Sequence, residues 1–306
     1  MYISKYIALI VILELSVIQE VSHAQTKDTC LCERSWCRLA KDDAAHFNPY
    51  YNGHLCENFC RWQTDFSKEY YSLMTRSKTG VTNDTEQFKT FYCNEVWLSR
   101  ETEANGVLGL DYKRIRFHIF RSKKDRSDHL CFHLEGKSNV GGIITPYNGE
   151  LHIIAAYLGD TTENGNKISY HIFYFYILRE DSTKKHSGFF KGAGDAFVQT
   201  TRYKSFKNHS SSDYYSANLD ETDAEGDGYY NRTFVGTWTN YRTHESKKCI
   251  WGDDRLPFTF DFDQGDGEMH VSDKYANNGW QEFNKHSEYT FIGDERFLKD
   301  RWWLRN

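Results

Sequence analysis

Two hydrophobic periods divide the chain. Between residues 54 and 76, Leu55, Phe59, Trp62, Phe66, Tyr70 and Leu73 recur at spacings of three and four. That spacing places them on one face of an amphipathic helix. From about residue 90 the apolar positions alternate with polar ones, the period of half-buried strands. Strands are predicted over 91–98, 114–121, 129–135, 150–158, 168–179 and 188–199, then over 232–242, 257–263, 268–275, 288–292 and 296–304. Asn148-Gly149, Asn164-Gly165 and Asp227-Gly228 read as turns between such runs. Many strands with few helices imply a mostly β fold, an antiparallel barrel or sandwich.

The remaining segments give the organisation. Residues 205–230 are polar and acidic and read as a long surface loop or linker. They separate a β domain, or first β unit, at 81–204 from a carboxyl-terminal β unit at 231–306. Residues 25–80 form a cysteine-rich segment carrying the helix. Residues 1–24 combine Lys5, the apolar run "YIALIVIL" and the small residues Ser22 and Ala24, the order of a secretory signal peptide. Glu14 and Glu20 cut that run short of a membrane span.

Secretion changes the reading of the cysteines. Eight are present, at 30, 32, 37, 56, 60, 93, 131 and 249. In an oxidising compartment an even set implies disulfides, stapling the amino-terminal helical segment. Five lie within 30–60 and three beyond, so full pairing requires at least one bridge between the two groups. Sequons at Asn83, Asn208 and Asn231 predict a glycoprotein. Aromatic residues make up 16% of the chain, as expected of pleated, half-buried surfaces. A net charge of −5 gives no reason to expect a nucleic-acid partner.

Phe234-Val235-Gly236-Thr237-Trp238 resembles the first strand of the lipocalin superfamily, where an aromatic residue and Gly-x-Trp open a closed antiparallel barrel. The run "YYSLMTRSKTG…FYC" at 70–93 is similar to the start of tick-type salivary lipocalins, with an amino-terminal helix, Tyr-x-Leu and then a cysteine. The resemblance implies that Trp238 packs at the closed end of a barrel near an arginine, for which Arg301 and Arg305 are available. It also implies a small, partly apolar ligand, with Tyr170, Phe173, Phe175 and Trp238 as ligand-binding residues. A barrel beginning near Trp97 has enough chain to close, whereas one beginning at Trp238 does not.

Other motifs compete for chemistry. "KGAGDAF" at 191–197 matches the glycine-rich signature of sugar kinases, but no helix follows it, so a strand bulge or bend is the better reading. His129, Cys131 and His133 share one strand face, and His118, His152 and His171 lie on other strands. If these strands are neighbours, a cluster able to hold zinc or copper forms; otherwise these are polar outer positions with Cys131 in a disulfide. Carboxylates two apart at Asp223–Asp227 and Asp261–Glu268 suggest solvated turns or weak calcium sites. No nucleophile–base pair is recognisable. The sequence therefore predicts a binder rather than an enzyme, without a cofactor: a lipocalin-like carrier, or alternatively an extracellular protein-interaction or matrix component.

Overall fold

The structure is a computed structural model describing residues 81–99, 102–161, 167–207, 210–217, 232–253, 255–265, 269–284 and 301–305. The signal sequence, the cysteines at 30–60, the 54–76 helix and the sequons at Asn208 and Asn231 lie outside them. Nine strands are present among these residues: β1 (Ala104–Leu108), β2 (Lys113–Lys124), β3 (Cys131–Val140), β4 (Ile143–Thr161), β5 (Lys167–Glu180), β6 (Gly188–Lys207), β7 (Ser210–Ala217), β8 (Arg232–Asn240) and β9 (Ser246–Gly252). Every pairing between them is antiparallel.

Eight strands close a ring. β1 to β6 follow in meander order, and β8 and β9 continue from β6. β9 then returns to β1, in register from Asn105 opposite Gly252 to Leu108 opposite Cys249. Strands from both sides of the 205–230 segment thus build one barrel. β7 stands outside the ring and, among the described residues, pairs only with the far end of β6, from Thr200–Ala217 to Lys207–Ser210. Part of the expected acidic loop is therefore a strand.

Alternation decides what faces inward. On β5, Tyr170, Ile172, Tyr174, Tyr176 and Leu178 point into the barrel, where they join Ile115, Phe117, Phe132, Leu134, Phe190, Phe234 and Trp251 in one buried cluster. Burying such side chains contributes about 25 cal/mol per Å² of apolar surface removed from water. The segment 81–99, which includes the helical turn α1 (Thr85–Phe88), straps one end of the barrel. It hydrogen-bonds to β4 through Asp84 N to Ala156 O (2.8 Å) and to β2 through Ser99 N to Ile119 O (2.9 Å). Arg232, at the start of β8, donates to the carbonyls of Val96 (2.7 Å) and Leu98 (2.9 Å). Residues 94–97, expected as strand, form a 3-10 turn that drops Trp97 into the interior.

The outer face is covered where its residues are small. Val107, Ala155, Ala193, Val235 and Ile250 face outward, and Leu256, Phe258, Phe262, Met269, Val271, Tyr275 and Trp280 pack over them. The expected strands at 257–263 and 268–275 are instead turns, with 3-10 segments at Phe260–Phe262 and Asp273–Asn278 and one bridge, Asp263 to Val271. Their aromatics are buried by docking on the barrel, so they need no ladder of their own. A buried ion pair, Arg255 Nε to Asp263 Oδ2 at 2.6 Å, ties this covering segment together.

The glycine signature at 191–197 lies in the middle of β6, paired on both sides with no register shift. It is therefore not a bulge. A Cβ on Gly236 would lie 2.1 Å from the Lys191 carbonyl oxygen and 2.7 Å from Gly192 Cα, so the paired backbones of β6 and β8 approach closely here. Gly236→Ala should cost about 1–3 kcal/mol as an overpacking change, read as a lowered urea midpoint. An unchanged midpoint would show that the two strands can separate freely.

Candidate functional site

The barrel interior is the first candidate. Its centre is an aromatic stack: Trp251 lies against Phe234 (centroids 3.6 Å, 5°) and Phe117 (4.1 Å, 16°). Trp97 meets Tyr174 edge-on at 5.0 Å and Phe132 at 5.8 Å. Rings supply large apolar area but carry polar atoms that need partners when buried. Trp97 Nε1, Trp251 Nε1 and Tyr147 OH are buried without a hydrogen-bond partner in the protein. Burial pushes the Tyr147 phenol well above its ordinary value. An unsatisfied buried polar group costs about 1–3 kcal/mol when no partner is supplied.

The end opposite the 81–99 strap carries a buried carboxylate. Glu180 accepts from Ser138 Oγ (2.5 Å), Gly188 N (2.8 Å) and Trp238 Nε1 (3.0 Å). Burial raises its carboxyl above the ordinary 4.5, against the lowering effect of the three donors. A proton held more tightly in the folded than in the unfolded chain gives stability that is fully present below the unfolded value. That stability is lost as pH rises through the raised folded value. The urea midpoint should therefore fall over this window as pH rises from about 4.5, and Glu180→Gln should flatten that part of the curve. An unaltered pH profile in the variant would contradict the burial argument.

The four expected ligand-binding residues do not share one face. Tyr170 is interior, its hydroxyl donating to Asp84 Oδ2 at 2.9 Å. Trp238 is partly buried and packs against the interior cluster. Phe173 and Phe175 belong to the outer face, Phe173 stacked on His171 at 4.8 Å and Phe175 packed against the outer cluster. The parity of β5 makes this unavoidable, since residues 170 and 173 differ by an odd number. Gly-x-Trp also stands on β8, the seventh strand of the ring, rather than on the first. Trp238 meets the carboxylate of Glu180, while the terminal residues pack on β2 and β3: Trp302 under Arg116 (5.2 Å), Trp303 stacked on His118 (4.2 Å) and Lys137 Nζ bonded to Arg305 O (2.7 Å).

The cysteines depart from the expectation. Among the described residues there is no disulfide, and Cys93, Cys131 and Cys249 are free thiols. Cys93 and Cys249 belong to the interior cluster, where they pack as small apolar groups. Burial pushes the Cys93 thiol up to about 12 and that of Cys249 well above its ordinary value. The other five cysteines lie outside the described residues.

The histidine face is realised in part. Register places Cys131 opposite His152 and His133 opposite Glu150 on β3 and β4. Cys131 Sγ lies 3.4 Å from His152 Nε2, which lies 3.4 Å from Glu150 Oε2. His133 Nε2 contacts Asp125 Oδ2 at 2.9 Å, and a groove of about 370 Å³ beside it is lined by Lys123, Lys124, Arg126 and Ser127. His118 and His171 are elsewhere, bound to Thr102 O (2.9 Å) and Asp195 Oδ2 (2.8 Å). His129 is exposed in the β2–β3 turn. Of the acidic turns, Asp261 accepts from Lys274 and Tyr275, and Asp263 pairs with Arg255, so protein groups already occupy both. The 223–228 run, Asp266 and Glu268 lie outside the described residues.

The fold and its interior define a class, a closed eight-stranded antiparallel β-barrel with polar atoms inside. Comparison with family models, with curated proteins and with solved structures finds no match to this chain. No helix among the described residues is long and apolar enough to cross a membrane.

Proposed function

We propose that this is a secreted, lipocalin-like barrel that binds a small, partly apolar ligand bearing hydrogen-bond acceptors. The observation that carries the reading is the set of buried, unpartnered donors, Trp97 Nε1, Trp251 Nε1 and Tyr147 OH, inside a closed barrel. An indole N–H can only donate, so the matching ligand group is an acceptor such as a carbonyl, ester or carboxylate. The surrounding rings supply the apolar contact that ligand sites require. The alternative, an interaction or matrix protein with a wholly filled barrel, would exclude such ligands.

The head group is the discriminating variable. Decanoic acid, methyl decanoate and decylamine share one chain length and differ in what the head can accept. In displacement of the fluorescent probe N-phenyl-1-naphthylamine, the ester and the acid should compete and the decylammonium ion should not. Equal competition by all three would remove the acceptor argument, and no competition by any would favour the filled-barrel alternative.

Tyr147→Phe provides a second check with little volume change. Removing a buried hydroxyl that has no partner should leave the ligand-free protein as stable as before, or more stable by about 1–3 kcal/mol. The same change should weaken acceptor-bearing competitors. Such opposition between stability and binding is the expected behaviour of a functional site. A destabilised variant in thermal melts would mean that the hydroxyl is satisfied in the free protein.

A further inference from the structure

We infer that Cys131, His152 and Glu150 form a zinc site on the outer wall of the barrel, at the edge of the β2–β3 turn. The ligand atoms of all three lie within 4.8 Å of one another. Tetrahedral zinc with bonds of about 2.3 Å to sulfur and about 2.0–2.2 Å to nitrogen and oxygen requires ligand atoms roughly 3.4–3.6 Å apart. Sulfur to nitrogen and nitrogen to oxygen are each 3.4 Å here. The donors therefore already stand on two edges of the required tetrahedron. A thiolate and a carboxylate neutralise a divalent ion, and the mixed sulfur, nitrogen and oxygen set suits zinc better than calcium or magnesium.

Carboxylates and a further histidine stand close behind the donors. With Nε2 of His152 turned to Cys131 and Glu150, its Nδ1 faces Asp128 Oδ2 at 3.7 Å. A carboxylate behind the distal ring nitrogen fixes the tautomer and the ring plane of a zinc-bound histidine. Glu150 Oε1 lies 3.7 Å from His133 Nδ1, and Asp125 holds the other side of that ring at 2.9 Å. Backbone register supplies the precision, because Cys131 and His152 are directly opposed across the β3–β4 ladder. His152 and Glu150 remain nearly half exposed, so an ion can enter from solvent. Three protein donors leave the fourth position to water or to an incoming ligand.

The test uses the intact chain, reduced and freed of metal, titrated with cobalt(II) as a spectroscopic substitute for zinc and with zinc by calorimetry. Binding should bring a sulfur-to-cobalt charge-transfer band, and Cys131→Ser should remove one metal equivalent together with its share of that band. His152→Ala and Glu150→Gln alter partly exposed side chains and should leave the circular dichroism unchanged while weakening zinc binding at least about tenfold. Asp128→Asn should weaken it by about tenfold or more, the usual loss for an outer-shell carboxylate. Absence of binding, binding without the sulfur band, or binding indifferent to these substitutions would each overturn the assignment. A metal held only by the amino-terminal cysteines would appear as that last result.

Discussion

Replacing Trp251 by alanine should lower the unfolding free energy by about 3–5 kcal/mol, the range for removing a buried aromatic side chain. Its indole is buried between Phe234 and Phe117 and meets Tyr176 edge-on at 6.3 Å. It also stands on β9, the strand through which the ring closes on β1. Gly106 on β1 accommodates it, since a Cβ there would lie 2.5 Å from Trp251 Cβ. The cavity would therefore open at the closure seam between β9 and β1. Urea denaturation of the wild type and variant gives the comparison. A loss below about 1 kcal/mol would place Trp251 among surface positions. Trp238→Ala should cost less, because Trp238 is only partly buried.

The second large effect is expected outside the barrel. Asp263→Ala should destabilise by about 3–5 kcal/mol, the cost of leaving one member of a buried ion pair without its counter-charge. Arg255 and Asp263 have side chains exposed by only 7% and 4%, so water cannot replace the lost carboxylate. Asp263 Oδ1 also accepts from the backbone of Gly265 and His270, each at 3.0 Å. Its loss should release the covering segment as a unit and expose Phe262, Tyr275 and Trp280. Hydrogen exchange should then rise over 255–284 with less change in the interior faces of β5 and β6. Uniform protection in the variant would show that the covering segment does not depend on this pair.

How much of this was legible in the sequence follows from what each signal depends on. β5 reads directly, because Tyr170, Ile172, Tyr174 and Tyr176 alternate with outward residues over a long run. β2, β3, β4, β6 and β8 were also legible as strands, though β4 and β6 extend well beyond the alternating cores. Asn148-Gly149 reads as a turn, yet Gly149 is inside β4, where glycine is required because a side chain would collide with the Ile177 carbonyl, 1.9 Å from its Cβ position. The actual turn is Gly141-Gly142, both at positive φ. β1 and β9 escape detection because five and seven residues offer little alternation. The 255–284 segment misleads for the opposite reason: its aromatics alternate as a strand would, but they pack on the barrel's outer face.

The site was legible only as ingredients. Cys131 and His133 share a face by parity alone, whereas the pairing with His152 and Glu150 needs the β3–β4 register, which a sequence does not contain. The interior donors were hidden in the same way. Nothing local distinguishes Trp97, Tyr147 and Trp251 from the outward Trp280, whose indole donates to Tyr112 O at 2.8 Å. Gly-x-Trp marks a real strand and a close approach of backbones at Gly236, but its place in the ring follows from topology.

The barrel's capacity to hold a ligand is tested most directly by energy transfer from its own tryptophans. Trp97 and Trp251 lie inside the barrel, so a probe bound there is close to both donors. Titration with N-phenyl-1-naphthylamine under tryptophan excitation should give saturable sensitised emission at one probe per chain. Methyl decanoate should reverse it, and Trp97→Phe should diminish it. Emission that rises without saturation, or none at all, would contradict a ligand-binding interior.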